Sequence, residues 1–255
     1  MRDLVPGTVV LVGGGPGDPD LITVAGLNAL RQADVILYDR LAPTQLLDQA
    51  QPQAELVDVG KMPRAAGSSQ DEINALLVAH AKAGRRVVRL KGGDSFVFGR
   101  GGEEWIHCAE AGVPVQVIPG VTSAVAAPEL AGIPVTHRTL SQGFSVVSGH
   151  VPPDDPRSGI DWAALARSRT TLVILMGVKH LTEIAAELLR AGLDAETPAA
   201  IVAKASTPDA RVLRGTVATV ADLAREGHIA PPAITVIGAV AGLDLLDAPA
   251  SLSDT

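Results

Sequence analysis

The chain predicts an α/β fold arranged as two α/β domains, on three observations. Apolar runs of strand length alternate with helix-patterned stretches almost from end to end, an order that implies parallel or mixed sheets. Several of those runs empty into loops of glycine and carboxylate, and in open α/β sheets ligands bind outside the carboxyl ends of strands. Aromatic residues make up only 2% of the 255, so the core has to be assembled from Ala, Val, Leu and Ile. A chain of this length can bury one large core or two modest ones.

Val9–Val12 reads as the first buried strand and runs into Gly13-Gly14-Gly15-Pro16-Gly17-Asp18-Pro19-Asp20. Asp20 is placed to cap a helix whose apolar face is Ile22, Ala25, Ala29, Leu30 and Ala33. Val35–Tyr38 is a short strand ending at Asp39-Arg40, and another strand-like run ends at Val59-Gly60-Lys61. Ser69-Gln70-Asp71-Glu72 fits a capping box, followed by the stripe Ile73, Leu76, Leu77 and Ala81 and stopped by Gly84. Val87–Leu90 is the next strand. It opens into the glycine clusters of Lys91-Gly92-Gly93-Asp94 and Gly99-Arg100-Gly101-Gly102. Glycine admits backbone angles and close approaches that other residues forbid, so this loop reads as moulded around a ligand, with Asp94 free to bind polar groups.

A helix over 102–111, closed by Gly112, and a strand over 113–118 complete the first half. After Pro119-Gly120 the order restarts, which puts domains at 1–118 and 119–243 and leaves 244–255 as a flexible tail. Helices are expected at 122–130, 181–190 and 220–226. Strands are expected at 144–148, 171–176, 199–203, 212–217 and 234–237, with 152–159 a surface loop.

The net charge of −7 argues against a nucleic-acid partner. A single cysteine, Cys108, excludes an intrachain disulfide framework and a cysteine-rich metal site, and its helical setting makes it a small packed hydrophobe. No apolar run reaches about 18 residues and no charged-then-apolar leader opens the chain, so the expectation is a soluble cytoplasmic protein away from membranes.

The dinucleotide fingerprint fails at its third glycine, where Asp18 stands, and Asp18 and Asp20 would repel a pyrophosphate. Asp39 does end the second strand, where a ribose-binding acid would sit, so an NAD-dependent oxidoreductase remains an alternative. The P-loop pattern is absent, the six histidines have no metal spacing, and no metal site is expected. Asp39 and Lys61 each follow a strand-like run; singly, each reads as half of a surface ion pair. Arg40, Lys61, Arg64, Arg89, Lys91, Arg100 and Arg138 lie near strand ends or loops. Solvated surface is the default for each, but several converging on one cleft would suit a polyanionic small molecule.

Taken in order, VGGGPGDPDL (12–21), YDRL (38–41), VGK (59–61), KGGDSFVFGRGG (91–102), PGVTSA (119–124) and AGIPVTHR (131–138) resemble the tetrapyrrole methylases. That resemblance implies two α/β domains with the active site in the cleft between them. It implies a homodimer, and S-adenosylmethionine held in a folded, non-Rossmann pose, with S-adenosylhomocysteine as product. It assigns Pro16, Gly92, Gly93, Asp94, Val97, Thr122, Ser123, Met176, Ala205 and Ala233 to the donor, and Asp39 and Lys61 to proton acceptance and donation. The macrocycle of such enzymes is fringed with carboxylates, which makes Arg40, Arg89, Arg100 and Arg138 substrate-binding candidates. Ser95 stands where the family usually has proline, and Glu129-Leu130, the residues after Lys61 and Lys204-Ala205-Ser206-Thr207 also depart from its pattern.

Overall fold

The computed structural model describes residues 3–60 and 69–246, and divides by its internal contacts into two units, Met1–Ser123 and Ala124–Thr255. Among the described residues the first unit holds the strands β1 (Val9–Gly13), β2 (Val35–Tyr38), β3 (Glu55–Asp58), β4 (Val87–Lys91) and β5 (Val115–Ile118). They form one wholly parallel sheet in the order β3-β2-β4-β1-β5.

A parallel sheet has to be covered on both faces, and this one is. Val10, Val12, Ile36, Val88 and Leu90 pack on Ala29 and Leu30 of helix α1 (Val24–Leu30). The alternate residues Val9, Leu11, Val35, Leu37 and Val87 pack on Ile73, Leu77 and Ala81 of α2 (Ser69–Lys82) and on Cys108 of α3 (Gly101–Glu110). Cys108 is fully buried, and burial pushes its thiol up to about 11.

The expected cap of α1 is corrected. Thr23, not Asp20, accepts from the Gly26 N–H, while Asp18 accepts from Asp20 N to close a short 3-10 turn over Pro19–Leu21. Pro19 makes that turn a separate piece, so the helix starts later than its apolar pattern. The expected capping box rests on the Ser69 side chain, which lies outside the description.

The second unit holds α4 (Ser123–Leu130) from its second residue onward and carries a mixed sheet of β6 (Phe144–Ser148), β7 (Thr171–Leu175), β8 (Pro198–Ala203), β9 (Arg211–Thr216) and β10 (Ala233–Ile237), in the order β6-β7-β10-β8-β9. Only β6 and β7 run parallel; the other pairs are antiparallel. One face is covered by α5 (Trp162–Arg167), α6 (Leu181–Arg190) and α7 (Val220–Glu226), the other by Ala124 and Ala127 of α4 with Ala131 and Ile133. In α6 the buried stripe Leu181, Ile184, Ala185 and Leu188 has the i, i+3, i+4, i+7 spacing its sequence predicts. α5 was not among the expected elements.

The start of the expected tail is held down. Arg214 pairs with Asp244, and Leu245 N donates to Gly132 O. No helix among the described residues is long and apolar enough to cross a membrane.

Candidate functional site

Because β1 to β5 run the same way, their carboxyl ends share one edge of the first sheet. Gly13 stands beside Lys91, Val12 beside Ile118, and Tyr38 beside Leu90 and Asp58. The loops leaving those ends carry Gly14–Asp18, Asp39–Leu41, Val59-Gly60, Gly92–Gly99 and Pro119–Thr122. The parallel topology thus gathers the glycine and carboxylate motifs that the chain spreads over more than a hundred residues.

Two of these loops are bonded together. Gly14 N donates to Lys91 O at 2.7 Å, and Gly15 and Gly93 exchange N–H···O bonds of 3.1 and 2.6 Å. A Cβ on Gly13 would stand 2.6 Å from Gly120 Cα and 2.7 Å from Gly93 O, so absence of a side chain there serves loop-on-loop packing. Gly93 differs. Its φ of +65° favours glycine, and the nearest atom a Cβ would meet is Ser123 N at 3.7 Å. It therefore leaves room beside Ser123.

Asp94 is not free, as the sequence implied, but built into the loop. Its Oδ1 accepts from Phe96 N at 2.8 Å and its Oδ2 from Gly120 N at 2.9 Å, tying the loop after β4 to the loop after β5. Both oxygens keep a further lone pair. Pro16, Val97, Thr122 and Ser123 are half-buried around the same edge. Leu41, Phe96, Phe98 and Val121 leave large apolar side chains exposed on these loops.

Asp39 begins the loop after β2. Its Oδ1 accepts from Leu41 N, and its Oδ2 meets Arg89 Nη2 at 3.4 Å. Arg89, expected to bind substrate, is only 3% exposed. It follows Val87 by two residues and so points to the same buried face, where its Nε donates to Glu104 Oε1 at 3.0 Å. Its Nη1 reaches Leu90 O and Leu37 O. That placement corrects the expectation: the guanidinium supports Asp39 from beneath and is withdrawn from a solvent-borne ligand.

Lys91, two residues further on, bonds the same Glu104 oxygen at 3.1 Å. Burial first, then the Arg89 charge, push its ammonium below the ordinary lysine range against the pull of Glu104. Glu104 was missed by the sequence reading. Its signal was there: it lies three residues after Gly101 and four before Cys108, on the buried face of α3. Two cations alternating with Val87 on a buried strand face also require a counter-ion.

Arg40, Arg100 and Arg138 are exposed, Arg100 paired to Glu103 and Arg138 in the second unit. Lys61 lies outside the described residues. Within the second unit the antiparallel pairing sets the end of β7 beside the start of β10, and the end of β8 beside Ala233. This brings Met176, Ala205 and Ala233 to one end of the sheet. Met176 is half exposed at φ +57°, and Lys204 N is bonded to Pro232 O.

The dinucleotide alternative loses its geometric basis as well as its motif. Helix α1 starts only at Val24, so no helix N-terminus opens directly behind Gly13–Gly15, and β1 lies between β4 and β5 rather than beside β2. The pattern of the Tetrapyrrole (Corrin/Porphyrin) Methylases matches residues 8–221. A uroporphyrinogen-III C-methyltransferase of Methanocaldococcus jannaschii is 47% identical over 92% of this chain and 96% of its own. The uroporphyrin-III C-methyltransferase of Thermus thermophilus, solved with S-adenosylhomocysteine, is 45% identical with a TM-score of 0.76, over 91% of this chain and 98% of that one. A cobalt precorrin-4 methyltransferase superposes with a TM-score of 0.83 at 30% identity, over 93% and 97%. None of these likenesses supports the oxidoreductase alternative, and the chain belongs to the tetrapyrrole methylase family.

Proposed function

We propose that the protein methylates uroporphyrinogen III at ring carbons to give precorrin-2 by way of precorrin-1, with S-adenosylmethionine as donor, serving sirohaem or cobalamin synthesis. The observation that carries this reading is the convergence of the Gly14–Asp18, Asp39–Leu41, Gly92–Gly99 and Pro119–Thr122 loops at one sheet edge. The Methanocaldococcus jannaschii relative, at 47% identity, is named for C-methylation of uroporphyrinogen III.

The site's chemistry fits the donor. A sulfonium is cationic, and these loops offer carbonyl oxygens and the Asp94 carboxylate; Gly93 leaves space where any other residue would put a side chain. When bound, S-adenosylmethionine supplies an electrophilic methyl on a good leaving group. The chain's own task is therefore mainly alignment, which can be worth roughly 7–11 kcal/mol. In this reading Gly92, Gly93, Asp94, Val97, Thr122 and Ser123 hold the donor, with Pro16 from the first loop, and Met176, Ala205 and Ala233 are its contacts in the second unit.

Leu41, Phe96, Phe98 and Val121 suit the flat apolar faces of a macrocycle, and Arg40, Arg100 and Arg138 its carboxylates. Attack by a pyrrole-type carbon leaves positive charge on the ring. Asp39 stabilises that charge and takes up the proton lost afterwards, with Lys61 as the proposed proton donor. The protein works as a homodimer in the cytoplasm. A later corrin precursor is the second reading, favoured by the fit to the precorrin-4 enzyme.

The test is anaerobic incubation of the protein with S-adenosylmethionine and uroporphyrinogen III, followed by mass spectrometry. A product heavier by one and then two methyl groups is expected. Tight binding of S-adenosylhomocysteine with no gain in mass would sink the acceptor assignment; methylation of a precorrin instead would select the second reading. Light scattering of the eluting protein checks the dimer.

A further inference from the structure

We propose that Glu104 is a positioning residue for methyl transfer, fixing Asp39 through Arg89. The proposal rests on the reading that Asp39 handles charge and proton at the reacting ring.

Glu104 is fully buried on α3, and its Oε1 alone receives Arg89 Nε and Lys91 Nζ, with Gln70 Nε2 at the longer distance of 3.4 Å. With Nε fixed on Glu104 and Nη1 on two backbone carbonyls, the planar guanidinium has one orientation left, and that orientation aims Nη2 at Asp39 Oδ2. The Leu41 N–H holds the other Asp39 oxygen. Asp39 is thus gripped from the β4 side and from its own loop, while its side chain stays partly exposed.

Lys91 completes the arrangement. It adds a second cation against the two carboxylates, so the cluster is charge-balanced, and it keeps Glu104 from turning away from Arg89. Stability is a poor reason for such a cluster, because well-packed apolar side chains of similar volume usually do as well or better than buried ion pairs. The cluster lies directly under the one carboxylate of the β2 loop. A supporting shell that locks a reactive group in place is the use for which this expense is intelligible.

The experiment is a double-mutant cycle on kcat. Glu104→Gln keeps the shape but loosens the hold on Arg89. The pair Lys91→Met with Glu104→Leu removes the hold while preserving volume and charge balance, and it serves if the single change folds poorly. Each is measured alone and with Asp39→Asn. Either change is expected to lower kcat about tenfold while the KM for the tetrapyrrole and the Kd for S-adenosylhomocysteine stay within about twofold. Asp39→Asn alone should cost about 100-fold. Added to Asp39→Asn, the Glu104 changes should cost nothing further, because they act through the group already removed. Multiplicative losses, or wild-type kcat in the Glu104 variants, would overturn the positioning role. If Asp39→Asn alone leaves kcat unchanged, the reading of Asp39 fails first and this inference with it.

Discussion

Replacing Asp94 with asparagine separates a loop-building carboxylate from one that merely lines the site. In the wild type both oxygens accept from backbone, Phe96 N at 2.8 Å and Gly120 N at 2.9 Å. An asparagine amide has one oxygen and one NH2, so whichever way it turns, one of the two N–H groups faces another donor. A hydrogen bond to a charged acceptor is worth about 1.5–3 kcal/mol, and leaving its donor unpaired in a half-buried loop costs in the same range. If that cost falls on the loop that must be ordered to hold the donor, the S-adenosylhomocysteine Kd rises roughly 10- to 100-fold, at 1.4 kcal/mol per decade. Asp94→Ala, which loses both bonds, should weaken binding further. Isothermal titration with S-adenosylhomocysteine gives the affinity, and a melting curve shows how much of the cost appears in the unliganded protein. Asp94→Asn binding within about twofold of wild type would refute the reasoning, since no ordered loop would then depend on the carboxylate.

Gly120→Ala should abolish donor binding and lower the melting temperature, because its Cβ would stand 2.6 Å from Gly13 Cα, backbone that cannot swing aside; a crystal structure with unmoved loops would contradict this. Asp34, whose two oxygens grip Arg86 at the starts of β2 and β4, is held at about 2, below the 3.8 of a free carboxyl. Its contribution is therefore complete above pH 3.8 and is lost as pH falls through 2; with the side chain 34% exposed it is worth about 1 kcal/mol, so Asp34→Asn should lower stability at pH 7 by that amount and by less in acid urea titrations. Cys108, buried and pushed up to about 11, should resist iodoacetamide at pH 8 in the folded protein and react on unfolding; rapid native alkylation would contradict its placement.

Local elements were legible because hydrophobic period and backbone punctuation are local. β2, β6, α6 and α7 occupy the residues their patterns indicate, and the other described strands expected from pattern differ from it by a residue or two. The cap of α1 was misread because Pro19 closes a turn of its own before the helix begins. The motif residues were legible as a set, glycine and carboxylate at strand ends, and the family followed from their order.

What the linear order could not show was which strand ends are neighbours. The sheet order β3-β2-β4-β1-β5 sets Gly15 on Gly93 and Asp94 on Gly120, since pairing across a parallel sheet is made by crossovers and not by proximity in the chain. Nor could it show that Arg89 faces inward. An arginine near a strand end reads as a surface cation until the alternation of its strand and the placement of Glu104 on α3 are both known, and only the packed fold supplies the second.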